Sequence, residues 1–301
     1  MSKIDYLRSS FQNAAVSFTE AGEGIIILNV ENKHAYSRIS LQGAQILEWM
    51  PSDQKPVIWL SSDAAFKHAA SIRGGVPVCW PWFGDHDTDS SLPAHGFART
   101  CDWKLKHVQD HKNGATELLF CLHHQDDYGR YWSSKANLEI RMIVGEELEI
   151  TLMTKNLSTS EIIISEALHT YFYINDIAST SVSGLTGCEY LDKTDNFTRK
   201  KQQGDIAIDK EIDRVYVNTT DEVIIKDHSF NRSIRIRKSG SLSTVVWNPW
   251  EQKSLAMGDM GYQGFRHMLC VETANAADNK LVIPALECHE MSVNYSLVNN
   301  T

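Results

Sequence analysis

The chain has 301 residues, enough for one large domain or two modest ones. Hydrophobic residues make up 42% and charged residues 22%, which indicates a globular protein with a substantial core. The net charge of −9 argues against a nucleic-acid binder, and no apolar stretch reaches the length of a membrane span.

Cysteine usage and the N-terminus bear on location. The six cysteines are scattered and contain no CxxC pair, which indicates reduced thiols, most of them buried as small apolar groups. The first residues contain no apolar core of signal-peptide length. We therefore expect a cytoplasmic protein, and we expect it to be a monomer.

Short strands are predicted along most of the chain, with short helices only in the first dozen residues and near residues 126–131. Apolar and polar residues alternate with a period of two at residues 137–142, 147–152, 234–237 and 292–297. Shorter β-branched runs occur at residues 25–30, 162–164, 223–225 and 244–247. The polar stretch at residues 192–213 is interpreted as a long surface loop. Together these patterns predict one all-β domain over residues 1–301, a sandwich or a barrel.

The stretch at residues 72–102 is unusually rich in glycine, proline and tryptophan. Such a composition predicts a loop held in one shape rather than a helix or a long strand. Arg73 precedes two glycines, and Arg99 ends the segment His95-Gly96-Phe97-Ala98-Arg99. Two guanidinium groups on one rigid loop can hold an anion through bidentate hydrogen bonds. The alternative is that both arginines are structural, tied to carboxylates such as Asp102.

Several motifs in this chain occur together in one known family. RGGVPVCWPWFG at residues 73–84 is followed by LPAHGFAR at 92–99, ALHTYF at 167–172, DRVY at 213–216 and CVETAN at 270–275. Each motif alone is weak, but the ordered set resembles the hexose-6-phosphate mutarotase branch of the aldose 1-epimerase (galactose mutarotase) superfamily. The resemblance implies a large antiparallel β-sandwich with few short helices. It also implies interconversion of the α and β anomers of a hexose 6-phosphate, with no metal or organic cofactor.

The resemblance also assigns roles to individual residues. Glu272 corresponds to the family's catalytic base and His169 to its acid, which together open and reclose the sugar ring. Asp213 corresponds to an acidic residue that binds sugar hydroxyls, and His95 to a histidine near the ring oxygen. Arg73 and Arg99 are expected to hold the 6-phosphate. As an acid, His169 should be cationic when substrate binds, so we expect a nearby carboxylate to raise its pKa above about 6.5.

Each assignment has a structural alternative. A histidine between aromatic residues is often a packed core residue, and a glutamate in an apolar strand can be a paired structural group. Asp213 could be a turn residue or pair with Arg214. Trp80, Trp82 and Phe83 are candidates for an aromatic wall against the sugar, although core packing is at least as good an interpretation. Asp259 recurs in this branch without a clear role.

Other functions fit the sequence less well. Asp85, Asp87 and Asp89 imitate the start of a calcium-binding loop, but Ser90 and Gly96 stand where that loop needs glycine and glutamate. No metal site is therefore predicted. The remaining alternatives are a non-catalytic carbohydrate-binding module and a mutarotase of unphosphorylated aldoses. Because binding alone needs neither an acid nor a base, the presence of both His169 and Glu272 favours an enzyme.

Overall fold

Antiparallel strands form most of the regular secondary structure. The structure is a computed structural model, and it describes residues 1–124 and 131–299. The two α-helices within those ranges are α1 (Lys3–Ser10) and α2 (Trp250–Met257). Short 3₁₀ turns lie at Ala98–Thr100, Ile177–Ser179, Lys193–Asp195, Gly264–His267 and Ala277–Asn279. The strands, in chain order, are β1 (Val16–Ala21), β2 (Ile25–Glu31), β3 (Ala35–Ser40), β4 (Gln45–Pro51), β5 (Val78–Cys79), β6 (Lys104–Asp110), β7 (Thr116–Leu122), β8 (Ala136–Val144), β9 (Leu148–Asn156), β10 (Ile162–Ile164), β11 (Glu166–Leu168), β12 (Tyr171–Tyr173), β13 (Thr180–Ser183), β14 (Glu189–Asp192), β15 (Thr198–Lys201), β16 (Ile206–Ala207), β17 (Ile212–Val217), β18 (Val223–Asp227), β19 (Arg232–Ser239), β20 (Ser243–Asn248), β21 (Met268–Asn275), β22 (Leu281–Ile283) and β23 (Cys288–Asn299).

Two large sheets carry the architecture. The nine-stranded sheet has the order β16-β13-β18-β19-β23-β9-β8-β7-β6. The eight-stranded sheet has the order β15-β14-β17-β20-β21-β11-β5, and β12 pairs with β21 beside this path. A four-stranded sheet, β1-β2-β3-β4, and a two-stranded sheet, β10-β22, complete the fold. The all-β sandwich predicted from the sequence is therefore confirmed.

The apolar alternation seen in the sequence sets the faces of the strands. In β8 the side chains of Leu138, Ile140 and Met142 are buried, and the residues between them are partly exposed. A hairpin at residues 145–147 joins β8 to β9, with Val144 opposite Leu148. Since side chains alternate between the faces of a strand, this pattern assigns one face of the sheet to the core.

The core lies between the two large sheets, and β21 shows how both of its faces are used. Leu269 and Val271 belong to the main apolar cluster, which also contains Tyr295 of the nine-stranded sheet. Cys270 and Glu272 point to the opposite face of the eight-stranded sheet, yet both are buried because loops cover that face. The functional side chains are found under this cover.

Two expectations from the sequence need correction. Residues 192–213 do not form a long surface loop, since β15, β16 and the first residues of β17 lie there, and β15 pairs with β14. Polar residues predominate because β15 is an exposed strand at the edge of its sheet. Three of the six cysteines, rather than most, are buried, and none forms a disulfide.

The helix predictions have separate outcomes. The N-terminal helix is confirmed as α1, where Ser2 and Asp5 form a capping box at the first turn. The helix predicted near residues 126–131 falls almost wholly outside the described residues. In the described ranges, no helix combines the length and apolarity needed to cross a bilayer.

Candidate active site

The glycine- and proline-rich loop packs against the covered face of the eight-stranded sheet. The backbone N–H of His169 donates to the Pro77 carbonyl at 2.9 Å, and that of Tyr171 donates to the Gly75 carbonyl at 2.9 Å. Gly75 has φ +71°, and a Cβ atom there would lie 2.2 Å from the Ile46 carbonyl oxygen. Glycine is therefore required for this close approach, which fixes the loop beside the His169 backbone.

His169 and Glu272 form a buried acid–base pair. His169 lies in the short connection between β11 and β12, and Glu272 lies in β21, which pairs with both strands. The Nε2 atom of His169 is 3.4 Å from Oε1 of Glu272, and the two side chains are 10% and 1% exposed. The other carboxylate oxygen of Glu272 is buried and has no hydrogen-bond partner among the described residues. Such an oxygen is costly to keep unless a ligand hydroxyl satisfies it.

Burial opposes charge on both members of this pair. It raises the pKa of Glu272 well above the ordinary value, and the negative charge of Asp213 adds to the effect. It lowers the pKa of His169 well below the ordinary value, and His95, Arg99 and Arg73 lower it further. The expectation of a raised pKa at His169 is therefore wrong for the unliganded protein. Desolvation and nearby cations outweigh the carboxylate, which favours a neutral His169 and a protonated Glu272.

His95 approaches His169 from the glycine-rich loop. The two imidazole rings meet edge to face at 5.5 Å, and the Phe83 ring contacts His95 at 4.9 Å. The Nδ1 atom of His95 accepts the backbone N–H of Gly84 at 3.3 Å, so the ring proton of the neutral form sits on Nε2. Burial and the positive charge of Arg99 lower its pKa to about 3. His95 is thus a neutral donor rather than a second acid.

Arg73 is held in place by hydrogen bonds to two side chains, Asp259 and Tyr171. Its Nε donates to Oδ1 of Asp259 at 3.0 Å, and its Nη1 donates to the Tyr171 hydroxyl at 3.0 Å. The Tyr171 ring stacks on the His169 ring, with centroids 4.9 Å apart and planes 15° apart. Nη2 of Arg73 has no partner in the part of the chain that the structure describes. The sequence left the role of Asp259 open, and the structure shows that it holds Arg73.

Arg99 is less constrained, and neither arginine is tied to Asp102. One Nη2 donor of Arg99 binds the Ala94 carbonyl at 2.7 Å, within the same loop. Asp102 instead pairs with Lys3 at 2.6 Å. The carboxylate alternative therefore applies to Arg73 alone, and with Asp259 as its partner. Arg99 lies close enough to affect the protonation of both His169 and Glu272.

Asp213 lies in β17 and pairs with a lysine rather than with Arg214. The Nζ atom of Lys193 is 3.0 Å from Oδ2 of Asp213. The register of the sheet places Asp213 opposite Trp247, and Trp247 opposite Cys270, so all three share the face that carries Glu272. Burial raises the pKa of Asp213, and Lys193 opposes this effect.

The aromatic residues around the pair differ from those proposed from the sequence. Trp80 and Trp82 belong to the main core, where each packs edge-on against Phe97. The rings that contact His169, besides His95, are Tyr171 and Trp247, the latter at 5.8 Å. Core packing is therefore the right interpretation for the two loop tryptophans.

The donor atoms of His169, Cys270 and Glu272 lie within 4.8 Å of one another, which is close enough to test for a metal site. The thiol of Cys270 meets Nδ1 of His169 at 3.7 Å, whereas Glu272 meets Nε2. The two contacts use different nitrogens of the imidazole ring, and a single metal ion can bind only one of them. Burial also raises the pKa of the Cys270 thiol well above its usual value, which opposes the thiolate that a metal prefers.

The structure brings together all six residues proposed from the sequence: His169, Glu272, His95, Arg73, Arg99 and Asp213. It adds Lys193, Tyr171, Trp247 and Asp259, which sequence reasoning either missed or left without a role. Lys193 was missed because its segment was interpreted as a surface loop. Tyr171 carried a signal, since it lies two residues after His169 within the ALHTYF motif.

The β-sandwich thus places a buried histidine–glutamate pair near three cationic side chains, an arrangement suited to acid–base chemistry. A sequence model of the aldose 1-epimerase family matches residues 27–296. The chain belongs to the aldose 1-epimerase family.

Individual relatives agree with this assignment. The chain is 38% identical over 264 residues to a protein of Escherichia coli K12 provisionally named glucose-6-phosphate 1-epimerase, covering 87% of each chain. A Salmonella typhimurium LT2 protein with the same provisional name is 37% identical over 251 residues, covering 83% of each chain. The crystal structure of YeaD, a provisionally named mutarotase from Salmonella typhimurium, superposes with a TM-score of 0.90 at 31% identity, covering 96% of each chain.

Proposed function

We propose that the protein interconverts the α and β anomers of hexose 6-phosphates, with D-glucose 6-phosphate as the first candidate. The observation that carries the proposal is the buried pair of His169 and Glu272, whose facing atoms are 3.4 Å apart under a rim of cationic side chains. The provisional names of the relatives support the same substrate class.

The pair can pass one proton between its two members, which is what ring opening needs. One group removes the proton of the C1 hydroxyl while the other protonates the ring oxygen, and the C1–O5 bond breaks. After rotation about C1–C2, the reverse transfers close the ring on the other face of the aldehyde. The number of protons on the pair is the same before and after, so no outside acid or base is consumed. The family pattern makes Glu272 the base and His169 the acid.

The charges around the pair favour an anionic substrate. Arg73, Arg99 and Lys193 lie close enough to His95 to lower its pKa together, so the three cations share one small region. Their local charge opposes the net charge of −9 of the whole chain, which would otherwise repel a phosphate. Nη2 of Arg73 and both Nε and Nη1 of Arg99 have no partner within residues 1–124 and 131–299. These donors are available for phosphate oxygens.

Neutral donors and acceptors at the same site suit the sugar itself. His95 offers an Nε2 proton, Asp213 offers carboxylate oxygens, and Trp247 presents an aromatic edge. We assign sugar hydroxyls to His95 and Asp213 and the phosphate to Arg73 and Arg99. The lack of disulfides among the six cysteines supports the further proposal of a cytoplasmic location, which cell fractionation would test. We also propose a monomer, which size-exclusion chromatography would test.

The test is mutarotation of freshly dissolved α-D-glucose 6-phosphate, followed by polarimetry or by NMR exchange between anomers. We expect the protein to accelerate equilibration far above the protein-free rate, and more strongly than for D-glucose or D-galactose at equal concentration. Binding of the sugar phosphate without acceleration would identify a carbohydrate-binding module instead. Equal acceleration of free and phosphorylated sugars would identify a general aldose mutarotase.

A further inference from the structure

We infer that the substrate's phosphate does more than anchor the sugar: by neutralising Arg73 and Arg99, it moves the proton of the buried pair from Glu272 to His169. This inference rests on the proposed function. It gives the phosphate an activating role, because the site becomes a base at Glu272 and an acid at His169 only when an anion is bound. Atoms balance, since the proton leaves a Glu272 carboxyl oxygen and joins Nε2 of His169.

The geometry provides a direct physical connection between the anion site and the acid. Asp259 and the Tyr171 hydroxyl each hold Arg73 at 3.0 Å, so the guanidinium cannot swing away. Tyr171 contacts both groups, because its hydroxyl accepts from Arg73 and its ring stacks nearly parallel on the imidazole at 4.9 Å. The positive charge of Arg73 is therefore held by the residue that stacks on the group that must become cationic.

The charges act unequally on the two members of the pair. Besides burial, the groups that lower the pKa of His169 are His95, Arg99 and Arg73. Glu272 is influenced by Asp213, Lys193 and Arg99. Arg73 is connected instead to His169, through the Tyr171 hydroxyl that it binds and the Tyr171 ring that stacks on the imidazole. A dianion seated on Arg73 and Arg99 removes more positive potential from His169 than from Glu272.

The other groups packed against His169 do not oppose this transfer. Trp247 contributes an uncharged ring edge, and the Cys270 thiol stays protonated because it is buried. Lys193 is paired with Asp213 and stays near the carboxylate, where its charge favours the ionised form of Glu272. Once an anion offsets the two arginines, the field across the pair favours a cationic His169 and an anionic Glu272.

The experiment separates the phosphate from the sugar. Mutarotation of unphosphorylated D-glucose is measured with increasing sodium sulfate, at ionic strength held constant with sodium chloride, and the protein-free rate is subtracted. Sulfate is a dianion but a very weak base, so it adds little buffer catalysis. We expect saturable activation of about tenfold, within the usual range of coupling between two ligand sites. Sulfate should also inhibit glucose 6-phosphate competitively, since it occupies the same position.

Variants identify the route of the coupling. Arg73→Ala should abolish the activation by sulfate, and Tyr171→Phe should weaken it because the hydrogen bond to Arg73 is lost while the ring stack remains. Arg237→Ala is the matched control, since Arg237 pairs with Glu147 and Asn294 on the nine-stranded sheet and should leave the activation intact.

A direct readout of the proton uses ¹⁵N-histidine NMR, with His169→Asn to assign the signals. We expect the His169 nitrogens to change from neutral imidazole to imidazolium shifts when sulfate saturates the site. Competitive inhibition by sulfate, with no activation of glucose and a neutral His169 throughout, would show that the anion site is only an anchor. Absence of any mutarotation of glucose 6-phosphate would instead overturn the proposed function itself.

Discussion

The hydroxyl of Thr170, the residue after His169, lies 2.6 Å from the hydroxyl of Tyr295. Both side chains are fully buried, and Tyr295 belongs to β23 of the opposite sheet. The bond therefore ties the segment that carries His169 to the second layer of the sandwich. The Phe172 ring, which meets the Tyr295 ring edge-on at 5.1 Å, adds an apolar contact at the same place.

Removing this bond should loosen the histidine without changing the site's chemistry. Tyr295→Phe keeps the ring contact and leaves Thr170 with its own bond to the Leu168 carbonyl. We expect a loss of about 1 kcal/mol in the free energy of unfolding, and a several-fold fall in kcat at nearly constant KM. A double-mutant cycle with Thr170→Val measures the coupling, and Tyr6→Phe, at an exposed site, is the control. Additive effects would show that the hydroxyl pair does not act as a unit.

Glu272→Gln and His169→Asn should each reduce mutarotation by about 10²–10⁴-fold, the usual effect of removing a positioned proton-transfer group. Because one oxygen of Glu272 is buried without a partner, its replacement by Gln should cost little or no stability. Glu290→Gln, at an exposed position, is the matched control. Near wild-type rates in Glu272→Gln, with thermal unfolding unchanged, would mean that the base lies elsewhere.

Arg73→Ala and Arg99→Ala should each weaken hexose 6-phosphates by about 1.5–3 kcal/mol, the range for hydrogen bonds to charged groups. The loss should be much smaller for D-glucose, which has no phosphate. Arg73→Ala also leaves Asp259 without its cationic partner, so Asp259→Asn should be combined with it to separate stability from binding. For each variant, kcat/KM is measured on glucose and on glucose 6-phosphate. An equal loss of kcat/KM on both sugars would show that the arginines are structural rather than phosphate-binding.

His95 and His169 should each reduce stability as pH falls. Glu272 acts in the opposite direction, because its raised pKa contributes stability that is lost as pH rises. Burial lowers the pKa of both histidines in the folded state, so below about pH 6.5 the unfolded chain binds more protons and stability falls as pH falls. Between pH 7 and pH 5 each histidine should account for up to about 2 kcal/mol of this loss. Urea unfolding at pH 7 and pH 5 measures this loss. The free energy of unfolding of His95→Asn and of His169→Asn should fall less between the two pH values than that of the wild type.

The control for this pH dependence is His107→Asn, at an exposed position, which should lose as much stability as the wild type. The pKa of His289 is shifted upward instead, because the hydrogen bond to Glu166 outweighs the effect of burial. The stability that His289 contributes is therefore lost as pH rises. That contribution is present in every variant and cancels in the comparison. Parallel pH curves for all variants would show that neither His95 nor His169 is buried in its neutral form.

Gly96→Ala should strongly destabilise the loop that carries His95 and Arg99. A Cβ at Gly96 would lie 1.9 Å from the Trp80 carbonyl oxygen, and the backbone there has φ +71°. Gly84→Ala provides the matched control, since Gly84 has φ +81° with nothing within 4 Å of its Cβ position. Gly84→Ala should therefore cost only the conformational strain, about 1–2 kcal/mol, and Gly96→Ala clearly more. Equal melting temperatures for the two variants would contradict the close approach.

The sequence by itself determined most of the strands and which two residues are proposed as the acid–base pair. The alternation at Leu138, Ile140 and Met142 predicted β8 because side-chain direction in a strand depends only on position along it. His169 and Glu272 were recognised because short motifs keep catalytic residues next to characteristic neighbours. Both kinds of information are local, so they can be obtained without knowing which strands are adjacent.

Only the tertiary structure decided the partners and the protonation of that pair. Asp259 meets Arg73 across 186 residues of chain. Lys193, which meets Asp213, lies in a 3₁₀ turn within the stretch that was interpreted as a surface loop. The pKa of His169 was expected to rise, yet it falls. Burial and the cations of a distant loop act through space, and no pattern along the chain records how close those groups come. Contacts between residues far apart in sequence, and the solvent they exclude, set the charge state on which the chemistry depends.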